Sequence, residues 1–285
     1  TQPIIGTQIN FKIGETTGLL PLFALNEAGY KNIIELSSLS YLENDELSDP
    51  HVDFELLLSN SKGVAVFSGT VFGLFGKLFD KGKFSEIDEL YNKIKNAFDD
   101  RFYLEIQRHN DQNEIGFEKF NLKKSLDLEI PIIATNEVFY LDKEMHEAHD
   151  ALICIGNKTY VNEKNRLRLT DQHYLKTNSE MSELFADLPE ALENNYNFPL
   201  RCSYRPLFSN PILPNISSDK DGNADEILKK DSIEGLKVKF NKIFNLSDED
   251  LENNNSYREY KNRLNHELSI IIEMKYSSYF LIVAD

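Results

Sequence analysis

Residues 102–109, FYLEIQRH, and residues 131–137, PIIATNE, decide how this chain folds. Each is a short run of aliphatic, β-branched or aromatic residues that ends in polar side chains, as a buried strand and its following loop do. Such a strand, helix and strand within about 35 residues form a βαβ unit, whose chemistry lies at the C-terminal ends of its parallel strands. His109 and Glu137 stand at those two ends, so we expect any functional site to begin there. The intervening helix is predicted over residues 114–128, with an apolar face made of Ile115, Phe117, Phe120, Leu122, Leu126 and Leu128.

The rest of the chain follows the same alternation and then becomes helical. Apolar runs predict strands near residues 4–10, 18–25 and 64–69, and Asn26 is predicted to cap a helix that ends near residue 42. Beyond residue 136 the pattern favours helices, and the proline-rich, glycine-containing stretch 206–221 predicts a linker between two regions. Further helices are predicted over residues 85–98, 143–155, 179–186, 189–197, 224–244 and 256–275, with a short one starting at Asp53.

Composition and charge restrict what the chain can do. It has 285 residues, of which 41% are hydrophobic and 27% charged, an ordinary balance for a soluble globular protein. The net charge of −16 opposes binding to duplex DNA, because phosphate backbones are bound by clustered lysine and arginine. The two cysteines, Cys154 and Cys202, have no CxxC spacing, so we expect reduced and buried thiols. No apolar run approaches the length of a membrane span.

Several segments resemble catalytic or ligand-binding motifs but do not have the required spacing. Gly69, Gly73 and Gly76 fit neither GxGxxG nor GxxxxGK[ST], so we expect close packing of a helix on the sheet instead of a phosphate loop. His146 and His149 are three residues apart and do not form HExxH, which predicts histidines at the helix surface or core edge. Residues 219–225 resemble the start of a calcium loop, but Lys230 stands where the loop needs glutamate; GxSxG is absent.

Three interpretations remain open for His109 and Glu137. They could form part of a metal site, act as a general acid and base, or form a structural or vestigial pair. A catalytic metal needs about three protein ligands, and the strand ends offer two, which favours the structural interpretation. The remaining histidines, His51, His173 and His266, are isolated in sequence and are predicted to lie at the surface.

The chain resembles a known family in several motifs. They are residues 2–6 (QPIIG), 25–33 (LNEAGYKNI), 66–69 (VFSG), 133–137 (IATNE), 183–191 (ELFADLPEA) and 278–283 (SYFLIV). In this order they are similar to the PHP (polymerase and histidinol phosphatase) domain and following segment of the C-family bacterial replicative polymerases, the DNA polymerase III alpha subunits. The resemblance implies a distorted (β/α)7 barrel that is N-terminally incomplete here, and a mainly helical start of the polymerase palm. The implied limits are 1–208 for the PHP domain, 209–222 for the linker and 223–285 for the palm segment.

The resemblance also implies which residues would form the PHP metal pocket. Members with an intact site carry glutamate where this chain has Gln8, histidine at Leu19, cysteine at Thr70, aspartate at Glu137 and histidine at Phe139. Only His109 matches. Amide, alkyl, hydroxyl and phenyl groups are poor donors for a divalent cation, so the resemblance implies a vestigial pocket that holds no metal.

The expected function is therefore that of a fragment of a replicative DNA-directed DNA polymerase. The PHP domain would be a metal-free scaffold, and no catalytic residue is expected in this chain because the polymerase active site and its Mg2+ would lie outside it. By resemblance, the partners are the proofreading exonuclease and other replisome subunits, DNA is bound by other parts of the protein, and the location is cytoplasmic without membrane association. The alternative is a metal-dependent phosphoesterase or 3'-5' exonuclease that works in the barrel.

Overall fold

The structure is a computed structural model, and it describes residues 2–44, 48–208, 223–244, 246–251 and 253–284. The chain divides into two compact units, Thr1–Pro206 and Leu207–Asp285. The linker predicted over residues 209–222 and most of the calcium-loop-like stretch lie outside the described residues.

Among the described residues of the first unit, six strands form one sheet in the order β3-β1-β2-β4-β5-β6. The predicted βαβ unit is present, because β5 and β6 pair in parallel with Leu104 opposite Ile132. The sheet is nevertheless mixed, since β1 and β2 form an antiparallel hairpin and β2 also pairs antiparallel with β4. The strands are β1 (Gly6–Ile13), β2 (Thr16–Ala24), β3 (Val52–Asp53), β4 (Val64–Phe67), β5 (Phe102–Ile106) and β6 (Ile132–Ala134).

The hairpin has a local cause. Two residues separate β1 from β2, and the first of them, Gly14, has a φ of +55°, which glycine adopts without steric cost. Two-residue turns with glycine first match the twist of antiparallel strands.

Alternate residues of the strands enter two different cores. One core includes Leu104 and Ile106 of β5, and the other includes Tyr103 of the same strand. The first packs against helices of the unit, and the second packs against Phe198. Full burial of a large apolar side chain stabilises a fold by about 1.5–3 kcal/mol, so the two-sided burial holds the ends of β5 and β6 in fixed positions. Glu105 lies between Leu104 and Ile106 and therefore points to the side of Tyr103.

The helices of the first unit begin and end close to the predicted positions. The predicted apolar face of α5 is confirmed at Phe117, Phe120, Leu122 and Leu128, which belong to the first core or pack against it, and is wrong at Ile115 and Leu126, which are exposed. Two polar residues of α5, Glu114 and Asn121, are buried as well. The polar members are buried because Tyr91 donates a hydrogen bond to Asn121 and Glu114 turns toward His109. These helices are α1 (Glu27–Leu42), α2 (Phe54–Ser59), α3 (Leu74–Asp80), α4 (Phe84–Phe98), α5 (Gln112–Leu128), α6 (His146–Gly156), α7 (Asn178–Leu184) and α8 (Pro189–Arg201).

The glycine-rich turn after β4 packs closely, as predicted. A Cβ on Gly73 would lie 2.9 Å from the carbonyl oxygen of Leu19, and one on Gly76 would lie 2.1 Å from that of Val71. On β2, a Cβ on Gly18 would lie 2.5 Å from the backbone of Leu74. Glycine is therefore required for α3 to approach the sheet.

The second unit is helical over its described residues, which agrees with the sequence pattern. Its helices are α9 (Ala224–Phe244), α10 (Asp248–Leu251), α11 (Asn255–Glu273) and α12 (Ser277–Ala284). A small core of Phe240, Leu251 and Tyr257 joins α9, α10 and α11. No helix within the described ranges is both long enough and apolar enough to cross a membrane.

Candidate functional site

The two parallel strands bring His109 and Glu137 together at one edge of the sheet. His109 follows the last residue of β5 by three positions, and Glu137 follows the last residue of β6 by three. The backbone N–H of Glu137 donates a hydrogen bond of 3.2 Å to Nε2 of His109. The pairing of these residues, predicted from the strand ends, is therefore made through the backbone of Glu137.

His109 is almost fully buried, and both ring nitrogens have partners. Its Nδ1 lies 2.8 Å from Oε1 of Glu114, while its backbone N–H donates to Oε2 of Glu114 over 2.6 Å. Because Nε2 accepts a hydrogen bond from the backbone N–H of Glu137, the hydrogen-bond pattern assigns the ring proton to Nδ1. The lone pair that a metal would need at Nε2 is engaged by an amide.

Glu114 is placed by the start of helix α5. Asp111 caps this helix, and Glu114 at the third helical position completes a capping box with the Asp111 backbone. The Glu114 carboxylate thus accepts a hydrogen bond from the backbone of the helix cap, Asp111, and also orients the His109 ring. A carboxylate that orients an imidazole is common in metal sites, but here it serves a ring whose other nitrogen is already bonded.

His173 lies directly against His109, which corrects the prediction of a surface position. The two rings stack with centroids 4.0 Å apart and planes within 2°, and His173 is 4% exposed. Nδ1 of His173 lies 3.1 Å from the carbonyl oxygen of Glu137. Burial lowers the pKa of His173 to about 4, and the nearby His109 ring acts in the same direction. His173 is therefore neutral at pH 7.

Phe139 extends this stack away from the strand ends. Its ring lies 5.4 Å from that of His173 and 5.2 Å from that of His149. His146, one turn earlier in α6, uses Nε2 to contact the Leu169 carbonyl at 3.0 Å. The two α6 histidines thus lie at the core edge, and a phenyl ring occupies the position where the resemblance implies an imidazole ligand.

A buried carboxyl group lies on β5, hydrogen-bonded to Thr135 just after the end of β6. Oε1 of Glu105 accepts hydrogen bonds from the Gln107 amide at 3.0 Å and from the Thr135 hydroxyl, whereas Oε2 has no hydrogen-bond partner in the described part of the chain. Burial raises the pKa of Glu105, and it also raises that of Glu137, against the opposing effect of His109. Both carboxyl groups lie where burial makes the ionised form unfavourable.

Of the other three vestigial positions, Gln8 and Leu19 lie on the β1–β2 hairpin, and Thr70 lies in the turn after β4, where it lines a small cavity together with Glu105 and Glu114. Gln8 on β1 stands opposite Pro21, and Leu19 on β2 stands opposite Asn10, so both point to one face. Thr70 follows β4, and its hydroxyl accepts a hydrogen bond from the Phe72 N–H at 3.1 Å. Among the described residues, no hydrogen bond joins Gln8, Leu19 or Thr70 to His109.

These residues do not fit the divalent metal that an intact pocket would hold. The Nε2 lone pair of His109 is engaged, and Phe139, Leu19 and Gln8 supply no anionic or imidazole donor. No group of three or more histidine, cysteine, aspartate or glutamate side chains within the described ranges has metal-binding geometry. Cys154 and Cys202 are free and buried, as predicted.

Arg108, next to His109, connects the loop after β5 to helix α5 and to the junction of α7 and α8. It donates to Glu118 and to Asp187, each through two nitrogen–oxygen contacts of 2.6–3.1 Å, and to the Leu184 carbonyl at 2.7 Å. Its guanidinium carbon lies 4.9 Å from the ring centroid of Phe185. The loop after β5 is therefore tied to both α5 and the junction of α7 and α8.

Comparison with known proteins places these features in a family. The family model described as PHP domain matches residues 1–109, and the model described as bacterial DNA polymerase III alpha NTPase domain matches residues 226–285. The DNA polymerase III subunit alpha of Caulobacter vibrioides is 36% identical over 93% of this chain and 23% of its own length. The subunits of Rickettsia conorii and Pseudomonas aeruginosa are 36% and 32% identical over the whole chain and 24% of their own length.

The first unit thus carries a PHP domain on a mixed α/β sheet. Since both family models match in this order and the similarity runs through the whole chain, the chain belongs to the DNA polymerase III alpha subunit family. It spans about a quarter of the length of these relatives.

Proposed function

We propose that this chain is the PHP-containing part of a replicative DNA-directed DNA polymerase. In this proposal the whole protein adds deoxynucleotides to a primer by two-metal phosphoryl transfer. The catalytic residues and the Mg2+ belong to parts of the protein other than this chain, and DNA is bound mainly by those parts. The similarity to DNA polymerase III alpha subunits along the whole chain supports this assignment.

Within that protein, we propose that the PHP domain is a metal-free scaffold. The observation that carries this proposal is the hydrogen bonding of His109, whose Nδ1 contacts Glu114 and whose Nε2 accepts the Glu137 amide. A ring held on both nitrogens inside the core stabilises the fold, and binding of a metal at Nε2 would first require breaking the contact to Glu137.

The finer architecture and the partners are part of the same proposal. The six-stranded sheet would belong to a distorted (β/α)7 barrel, with residues 1–208 as PHP domain, 209–222 as linker and 223–285 as the start of the palm. The two family matches, at 1–109 and 226–285, support the order of these regions, and the division into two compact units after Pro206 supports a boundary near residue 208. The scaffold would bind the proofreading exonuclease and other replisome subunits, in the cytoplasm where bacterial replication takes place.

Metal analysis and a hydrolysis assay test the proposal that the PHP domain is a metal-free scaffold. The chain is incubated with Zn2+ or Mn2+, freed of excess ion, and analysed for bound metal and for nucleotide release from the 3' end of a single-stranded oligonucleotide. We expect far less than one ion per chain and no release above the background given by a His109→Ala variant.

The opposite outcome would support the metal-dependent phosphoesterase or exonuclease. That function requires one or two ions per chain, together with hydrolysis that is lost in His109→Ala. The polymerase assignment has its own test, Mg2+-dependent primer extension by the whole subunit that contains this chain. Absence of extension in an intact subunit would contradict it.

A further inference from the structure

The loop after α6 has a charge opposite to that of the rest of the chain. Residues 157–168, NKTYVNEKNRLR, contain four of the 31 lysine and arginine residues and only one of the 47 acidic residues. Electrostatic attraction of a polyanion depends on the local potential as well as the net charge. This loop is therefore a positively charged surface on a strongly acidic molecule.

Three of the four cationic residues of the loop are exposed, Lys158, Lys164 and Arg168. Lys158 and Lys164 are exposed, and neither has an ion-pair partner in the described part of the chain. Arg168 is exposed too, although it lies 3.4 Å from Glu147. The single carboxylate of the loop, on Glu163, accepts a hydrogen bond from the Thr159 hydroxyl. Two lysines are thus fully available, and one arginine is partly compensated.

The loop is held in position by a buried ion pair. Arg166 binds Asp150 of α6 through two contacts of 2.6 Å, and the same guanidinium donates to the carbonyls of Val161 and Leu167 at 3.0 and 3.1 Å. Both charged side chains are less than 10% exposed. Because this contact fixes the backbone on both sides of Lys164, binding costs less conformational entropy than in a free loop.

An aromatic side chain lies in the same loop. Tyr160 is 77% exposed and follows Lys158 by two residues. Lysine and arginine on a fixed loop, with an exposed aromatic ring, are the groups that bind single-stranded nucleic acid through its phosphates and through stacking on a base. A duplex would offer no free base face to Tyr160.

We infer that residues 157–168 form an accessory contact for single-stranded DNA. The choice of DNA rests on the proposed function, since a replicative polymerase works next to an unpaired template strand. The contact is weak and nonspecific, because it uses about three phosphates and one stacking ring, and its strength falls steeply with salt.

Fluorescence anisotropy of a labelled oligo(dT) 20-mer tests this inference on the whole 285-residue chain. Neutralising about three phosphates of a single strand gives a slope of about −2 for log affinity against log salt. The variant Lys158→Gln with Lys164→Gln should bind about tenfold or more weakly at 50 mM salt, with a slope near −0.7. Tyr160→Ala should weaken binding and leave the slope unchanged.

The matched control removes the same two charges elsewhere. Lys31 and Lys93 pair with Glu27 and Glu55 on the outer helices, so Lys31→Gln with Lys93→Gln should leave oligo(dT) binding within about twofold of the unaltered chain. Equal loss in both double variants, or no loss in the loop variant, overturns the inference. So does tighter binding of a poly-glutamate peptide than of oligo(dT), which would make an acidic protein segment the partner. None of these outcomes depends on polymerase activity, so primer extension by the whole subunit is judged separately.

Discussion

At the residue scale, His109 is a structural histidine with a large effect on stability. Its ring fills a buried space and satisfies the Glu114 carboxylate. His109→Ala should lower the free energy of unfolding by about 3 kcal/mol, because it creates a cavity and removes the partner of a buried charge. Urea denaturation measures this change. His266→Ala, at an exposed position, should stay within about 0.5 kcal/mol, and an equal change in both variants would contradict the structural role.

His173 makes the stability of the first unit depend on pH. Its imidazole has a pKa of about 4 when folded and about 6.5 when exposed, so between these values the unfolded chain binds more protons. The contribution of His173 is therefore fully present above pH 6.5 and is lost as the pH falls toward 4.

The test compares the unaltered chain with His173→Gln at pH 7 and pH 4.5. The difference between their unfolding free energies should shift in favour of the variant at the lower pH, because glutamine does not titrate. Glu105 and Glu137, whose pKa values are raised by burial, are present in both proteins, so their contributions to the pH dependence of the unfolding free energy cancel in the comparison. A difference that is the same at both pH values would show that His173 is not protected from protonation.

Part of this site could be predicted from the sequence. The strand ends predicted that His109 and Glu137 meet, and Asp111 followed by Glu114 has the spacing of a capping box, which could have indicated the carboxylate that holds the ring. His173 carries no comparable pattern. It stands 64 positions after His109 in the chain, and only the folded loop brings it onto the ring.

At the element scale, the Asp150–Arg166 pair holds α6 and the loop that follows it. Arg166→Met leaves the Asp150 carboxylate without its counterion and should lower both the melting temperature and the urea midpoint of unfolding. The double variant Asp150→Leu with Arg166→Met removes both charges and should recover most of this loss. Thermal and urea unfolding of the two variants provide the measurement, and equal destabilisation of both would argue against an electrostatic cause.

Periodicity gave the order of elements but not their pairing. The strand–helix alternation and the helical second unit were predicted from apolar spacing, and the described residues agree. The antiparallel hairpin of β1 and β2 depends on the two-residue turn at Gly14, and the spacing of apolar residues does not indicate that turn. Apolar spacing also did not predict the two buried polar residues of α5, because Asn121 is buried by a hydrogen bond from Tyr91, 30 positions earlier, and Glu114 by its contact with His109 in the preceding loop.

At the scale of the whole molecule, the charge of −16 governs interactions with nucleic acid. We expect no measurable binding of a 20-base-pair duplex at 150 mM salt, since repulsion from 47 acidic residues outweighs one small cationic loop. An electrophoretic mobility shift assay checks this, with oligo(dT) at 50 mM salt as the comparison. Duplex binding at micromolar concentration under these conditions would mean that the cationic surface is larger than the loop.

The contacts of Arg108 have a consequence for how the first unit opens. All five N–H donors of this guanidinium are used, on partners 10, 76 and 79 positions further along the chain. If α7 and α8 separated from the rest of the unit, the half-buried Arg108 would lose hydrogen-bond partners, and unfolding of α5 would remove its partner Glu118. The most protected amides of these three helices should therefore show the same opening free energy in native-state hydrogen exchange, as in a single cooperative unit.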